Sequence, residues 1–311
     1  MKISPELYKR GKALMVKKGT IPTIRELQTE LGITFWTARK LRDALEHETI
    51  LTQESNVKEY DIGKGEILRV AVCADVHVGS RYAKLGEFLS YLKYVDEASD
   101  VLFIAGDLLD GIGVYKGQEM ELALVRVEEQ VERAKELLSY YKKPIFFITG
   151  NHEYSVTERT GIEIGNLLAS KTATFLGPHK GEIIINGIRF QLWHGSGAGS
   201  YAVSYKLQKT VEHFLPGKKP RFLFAGHWHQ AAYLPLYRNV DAYLCGTFQG
   251  ETILTRRLGV LPQLGGWIIT IRHEGGEVKG VSSEFIPFYE IEKAEIGPPV
   301  VLLEGVGGIR K

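Results

Sequence analysis

The chain has 311 residues, 44% hydrophobic and 24% charged, with only two cysteines, Cys73 and Cys245. This is globular composition with room for one large domain and a small one, and it excludes a disulfide framework or a cysteine zinc site. No apolar run approaches the ~20 residues of a membrane helix. The start MKISPELYKRGKALMVKK lacks the apolar core of a signal peptide, so a cytoplasmic protein with no membrane partner is expected. Net charge is +2 and unevenly spread: residues 1–64 hold 12 Lys/Arg against 9 Asp/Glu, and residues 65–311 hold 27 against 28. Any electrostatic footprint for nucleic acid is therefore expected in the N-terminal part.

The predicted elements begin with a helix over 4–18, stopped by Gly19. Thr23 caps a second helix, IRELQTEL, with Glu26 in capping-box position, and Gly32 ends it. A third helix, FWTARKLRDALEH, follows Ile33-Thr34, with Leu27, Leu31, Ile33, Ala38, Leu41 and Leu45 as the apolar stripe. Two helices around a tight turn match a helix-turn-helix. TILTQ (49–53) and VKEYDI (57–62) have the place and size of a two-stranded wing. Residues 4–62 thus resemble a winged helix-turn-helix. That resemblance implies that Thr34, Trp36, Thr37, Arg39, Lys40 and Arg42 face DNA, since a helix fits the major groove and its cations reach phosphates or guanine edges. A docking or homodimerisation module with a solvated charged face remains open, and Trp36 suits a core equally well.

After a linker at Gly63-Lys64-Gly65, strands and helices alternate. Strands are predicted at 67–74, 101–106 and 144–150, with helices at 85–98, 118–141 and 160–170. Strands then dominate, at 182–186, 188–193, 221–225, 231–237, 241–246 and 266–272, with a helix at 201–214. A βαβαβ start before a strand-rich half predicts a layered α/β fold, two packed sheets with helices outside. The domains are expected at 1–64, 65–290 and a tail over 291–311, whose PVVLLE could add a strand to its own sheet or to a second subunit.

Polar residues gather where strands end. The first three strands end in Asp75-Val76-His77, Gly106-Asp107 and Gly150-Asn151-His152, and two later ones end in His194 and Gly226-His227-Trp228-His229. Ligands bind beyond the carboxyl ends of strands in α/β sheets. Five of the nine histidines fall in these motifs; His47, His179, His213 and His273 lie outside and are read as surface or core residues. Imidazole with carboxylate suits Mn, Fe, Zn or Co. Two such ions need a bridging anion, which Asp107 can supply, and together they polarise a phosphoryl group and activate a bridging water. Trp228 is expected to pack, and His227 and His229, two apart in an extended strand, to face one side. The loop Gly195–Ser200 either cradles a phosphate or simply lets His194 reach the metal.

The order DVH…GD…GNH…H…GHWH resembles the calcineurin-like metallophosphoesterase superfamily over residues 67 to about 250. The resemblance implies a four-layer α-β-β-α sandwich and two divalent ions, with Mn first and Zn, Fe, Ni or Co as alternatives. It assigns Asp75, His77 and His229 to one ion and Asn151, His194 and His227 to the other, with Asp107 bridging and His152 as the acid that helps the leaving oxygen depart. Asp110 and Glu153 are read as residues that orient ligands; GNHE stands where the family commonly has GNHD.

AGDLLDGIGVYKGQE (105–119) is similar to the phosphoesterase region of the archaeal D-family DNA polymerase small subunit, a proofreading exonuclease. The layout is also similar to the double-strand-break repair nuclease of the same superfamily. Where the former carries an oligonucleotide-binding barrel a helix-turn-helix is expected here, and the large capping domain of the latter is expected to be absent or minimal. The expected function is a metal-dependent DNA nuclease, with DNA and replication or repair proteins as partners. The alternatives are a small-molecule phosphatase or nucleotide phosphodiesterase, favoured by the near-neutral catalytic region, and a non-catalytic DNA-binding regulator.

Overall fold

The computed structural model describes residues 5–18, 22–52, 57–63, 65–215 and 217–288. Contacts divide the chain into two compact units, Met1–Val57 and Lys58–Lys311. The tail read over 291–311 lies outside the described residues.

The first unit holds helices α1 (Pro5–Lys18), α2 (Ile24–Leu31) and α3 (Phe35–Thr52). The capping box at α2 is present: Thr23 Oγ1 accepts the Glu26 N–H, and Glu26 Oε2 accepts the Thr23 N–H at 2.8 Å. Gly32 ends α2 in the left-handed conformation at φ 65°. Leu27, Ala38, Leu41 and Leu45 are fully buried, with Leu31 and Ile33 packed against them, so the apolar stripe read from the sequence is the core. The wing does not form among the described residues. Residues 49–52, read as its first strand, continue α3; no Gly or Pro interrupts 35–52, so nothing local stops the helix. The second, Lys58–Tyr60 (β1), pairs in parallel with residues 183–185 of the larger unit, which is why the units divide before the expected linker.

The larger unit continues with β2 (Ile67–Cys73), α4 (Leu85–Ala98), β3 (Val101–Ala105), α5 (Val127–Leu138) and β4 (Ile145–Thr149). Next come α6 (Asn151–Thr160), α7 (Ile164–Leu168), β5 (Ala173–Pro178), β6 (Lys180–Ile185) and β7 (Ile188–His194). Helix α8 (Tyr205–Glu212), β8 (Phe222–Gly226), β9 (Ala231–Tyr237), β10 (Val240–Cys245), α9 (Ile253–Leu258), β11 (Gly265–Glu274) and β12 (Glu277–Pro287) complete it. The helix expected over 118–141 is shorter, because residues 118–120 form a single 3-10 turn and Gln118 is wholly buried. The helix expected over 160–170 is the shorter α7, and α6 before it is a further helix that the sequence reading lacked; Gly161, left-handed at φ 72°, ends α6.

The strands form two six-stranded sheets, ordered β1-β6-β7-β8-β10-β9 and β12-β11-β2-β3-β4-β5. Phe103 and Phe146 of one meet Phe190, Phe222 and Phe224 of the other in a buried aromatic layer. Phe88, Tyr91, Ala134 and Leu137 of α4 and α5 cover the outer face of the second sheet, and Leu207 and Val211 of α8 cover the first. The result is the expected α-β-β-α sandwich. Covering both faces explains why β2, β3, β4 and β8 read as continuous apolar runs.

Candidate metal centre

The carboxyl ends of β2, β3, β4, β7 and β8 bring their polar residues together. Ligand atoms of Asp75, His77 and His229 lie within 4.8 Å of one another, as do those of His77, Asp107 and His152, and those of Asp107, His194 and His227. Asp107 belongs to two of these groups. Its Oδ2 is 3.0 Å from His194 Nε2 and 3.9 Å from His152 Nε2, and its Oδ1 accepts the His152 N–H at 3.0 Å.

Backbone conformation points these side chains inward. Asp75, His77, Asp107, His227 and His229 have φ of 54, 53, 49, 89 and 53°, a region that non-glycine residues seldom occupy. The reason expected for the two histidines of GHWH is therefore wrong: they converge from a left-handed turn, not an extended strand. Trp228 between them packs as expected, 5.3 Å edge-to-face with Trp193. Crowding explains the preceding glycine at two ligands: a Cβ on Gly150 would lie 2.2 Å from Asp107 Oδ1, and one on Gly106 2.4 Å from His194 Nδ1.

Hydrogen bonds fix which nitrogen His194, His227 and His77 present. His194 Nδ1 donates to the Ala105 carbonyl at 2.9 Å and His227 Nε2 to that of Gly197 at 3.1 Å. The remaining nitrogens, His194 Nε2 and His227 Nδ1, both face Asn151 Oδ1, at 3.0 and 2.9 Å. Likewise His77 Nδ1 donates to Asp110 at 3.0 Å, leaving its Nε2 3.1 Å from His229 Nε2. With the rings deprotonated, these atoms turn lone pairs toward one another, and such a set of imidazole, carboxylate and carboxamide could hold a borderline divalent ion.

Electrostatics agrees. Burial, with His152 beside His77 and with His194 beside His227, lowers the pKa of both rings, that of His227 to about 4; burial and His77 hold His229 well below its usual value. All three thus present neutral rings. Burial drives Asp75 well up, while His194 and His152 override burial to hold Asp107 well down. Burial opposes charge on His194, yet the Asp107 and Asp75 carboxylates pull it up to about 10. The pocket therefore takes positive charge at this point, as a proton or as a cation.

The supporting residues are also in place. Asp110 receives the Gln118 amide at 3.1 Å and the Gln249 amide at 3.3 Å besides His77. Glu153, raised to about 7 by burial and by Asp107, accepts the N–H groups of Leu109 at 2.7 Å and Gly150 at 2.8 Å. A sixth strand end was missed: after β10, the Thr247 hydroxyl and the Phe248 N–H both donate to the Asp75 carbonyl. Its signal was the glycine-bracketed GTFQG (246–250) closing an apolar strand.

In the N-terminal unit, Thr34, Trp36, Arg39 and Lys40 are exposed and Arg42 is half-buried. The Arg39 guanidinium lies 6.0 Å from the Trp36 ring, which is 68% exposed and so not core. Thr37 departs from the expected DNA-facing row: it is buried, with its hydroxyl 2.9 Å from that of Thr34.

Against known proteins, the chain is 27% identical over 245 residues to the DNA polymerase II small subunit of Methanothermobacter thermautotrophicus, covering 63% of this chain and 50% of that one. It is 25% identical over 245 residues to the protein of the same name from Methanocaldococcus jannaschii, covering 63% and 41%. The chain thus matches half or less of these relatives' length. A solved structure, GAP50, the anchor in the inner membrane complex of Plasmodium, aligns with TM-score 0.42 and 12% identity, over 72% of this chain and 85% of that one. The family model for calcineurin-like phosphoesterases matches residues 68–231, a span from β2 through the GHWH turn that includes every residue of the proposed centre. The chain belongs to the calcineurin-like phosphoesterase family.

Proposed function

We propose that the protein is a metal-dependent phosphodiesterase that cuts DNA. The observation carrying the catalytic part is the shared Asp107, a carboxylate common to two groups of convergent donors. Asp75, His77 and His229 would hold one divalent ion and Asn151, His194 and His227 the other, with Asp107 between them and manganese the first candidate. Bound there, the ions would polarise the phosphoryl oxygens and lower the pKa of a water between them.

The chain's own groups supply the rest. His152 Nδ1 donates to the Asp110 carbonyl at 2.7 Å, so its ring is fixed and its Nε2 is free to hand a proton to the departing oxygen. Asp110 and Glu153 keep the ligand-bearing turns in place. The exposed Trp36, Arg39 and Lys40 of α3 would grip the duplex. That DNA is the substrate is supported by the matched relatives, which are named as polymerase small subunits. The same likeness supports replication proteins as partners. No described helix is long and apolar enough to cross a membrane.

The test is a matrix of Mn, Mg, Zn and Ni against single-stranded, duplex and flapped DNA, RNA, cyclic nucleotides and an aryl phosphate. Mn-dependent DNA cleavage, lost in Asp107→Ala, is expected. Intact DNA beside rapid turnover of the aryl monoester would sink the nuclease reading and favour a small-molecule phosphatase.

A further inference from the structure

We propose that Tyr154 and His179 form an aromatic shelf on which the base of a nucleotide substrate stacks, beside Asn151 and His194. The proposal rests on the phosphodiesterase reading above and adds how the substrate's nucleoside is recognised.

His179 is the single residue between β5 and β6, where the chain crosses from one sheet to the other. Its φ is 58°, where glycine or asparagine is the easier choice. The backbone there is locked from both sides. The His179 N–H donates to the carbonyl of Thr149, two residues before Asn151, at 2.8 Å, and its carbonyl accepts the N–H of His194 at 2.7 Å. A strained residue is thus pinned between the two strands that deliver Asn151 and His194. Strain of this kind persists where the surroundings over-determine it, and it clusters at ligand clamps.

The imidazole is braced against Tyr154, with ring centroids 4.7 Å apart. Tyr154 follows Asn151 by three residues on α6, which puts both on one face of the helix. Its side of the pair is open, since Tyr154 is 40% exposed. His179 is close enough to the centre to feel the charges of His194 and Asp107. A partly exposed ring, backed by a second and adjacent to the phosphoryl site, suits a flat apolar face. In a nucleic acid that face is the base, and aromatic stacking tolerates any of them.

The test compares two diesters on the Mn-loaded full chain, thymidine 5′-(p-nitrophenyl phosphate) and methyl p-nitrophenyl phosphate, which differ by the nucleoside. The readout is the ratio of their kcat/KM values, which general damage to the fold leaves alone because it lowers both. The wild-type ratio should favour the thymidine ester. Tyr154→Ala should reduce it about tenfold through KM, and Tyr154→Phe should keep it. His179→Asn, which tolerates the left-handed backbone but removes the ring, should reduce it several-fold. A wild-type enzyme that hydrolyses both diesters equally, or a ratio unmoved in Tyr154→Ala and His179→Asn, overturns the shelf and leaves the phosphodiesterase reading standing. A wild-type enzyme that hydrolyses neither diester but does hydrolyse p-nitrophenyl phosphate overturns both.

Discussion

Removing the carboxylate behind His77 should loosen the proposed centre without dismantling it. Asp110 touches no proposed metal position; it accepts from His77 Nδ1 at 3.0 Å and is 1% exposed. Burial opposes its charge, but the hydrogen bonds from His77 and Gln118, with His152 nearby, hold its carboxyl low. A hydrogen bond to a charged acceptor contributes about 1.5–3 kcal/mol, or ~10–150-fold in affinity. Carboxylates behind ligating histidines typically change metal affinity by ~10–100-fold, so Asp110→Ala should weaken Mn binding by about that factor. Folding should suffer less, because the other groups keep partners. Gln118 Nε2 still bonds the Asp110 carbonyl at 2.8 Å, Gln249 Nε2 the Ser80 hydroxyl at 3.0 Å, and His152 Nδ1 the Asp110 carbonyl. Asp110→Asn is the graded control: its amide oxygen can accept from His77, but its NH2 would face the NH2 of Gln118. Titration calorimetry with Mn reads the affinity, and thermal unfolding of chelated protein reads the fold. Mn affinity within twofold of wild type in Asp110→Ala would refute the claim that this carboxylate orients His77 for a metal.

Three further outcomes are expected. His152→Ala should bind Mn nearly as wild type by calorimetry yet lose at least ~100-fold in hydrolysis, as expected for a lost general acid. Gly106→Ala should destabilise the sandwich by roughly 2–4 kcal/mol, since φ is +91° and the new Cβ would displace His194 from its bond to Ala105; Tm should fall by roughly 4–16 °C in calorimetry. Arg39→Ala should weaken binding to duplex DNA and flatten its salt dependence by about one in slope, read by anisotropy over a salt series.

The sandwich and the cluster of candidate donors were legible because these residues stand at or just after the ends of largely buried strands. The apolar run marks where the strand ends, and the polar residue after it cannot be core. The supporting residues were not legible, because their partners are far away in sequence: Gln249 reaches Asp110 across 139 positions. Nor was His179, a lone histidine whose meaning lies in a backbone angle. In the N-terminal unit, Thr49-Ile50-Leu51-Thr52 is β-branched enough to suggest a strand, yet α3 runs through it. Context overrides so weak a propensity. Thr37 failed for a related reason: polar residues on a helix were assigned to its outer face, but a threonine whose hydroxyl finds a neighbour is easily buried.

The backbone also bears on whether the centre is catalytic or merely inherited. Five of its residues are left-handed, each at a cost on the order of 1–3 kcal/mol. Asp75 and Asp107 bring carboxylates into a site where they are 0% and 2% exposed, which raises the expense further. Asn151 and His194, by contrast, sit in ordinary helix and strand. The strain therefore falls on the residues that must turn inward after a strand to reach the shared centre. A fold kept only as a scaffold gains nothing from such turns, and relaxing any one of them would stabilise it. A divalent cation would offset the carboxylate repulsion and give the close His77 and His229 nitrogens, 3.1 Å apart, a shared partner in one step, which makes the strained arrangement worth holding. On this reasoning Mn should raise the Tm of the wild-type chain more than that of Asp107→Ala, and an equal rise in both would favour the scaffold.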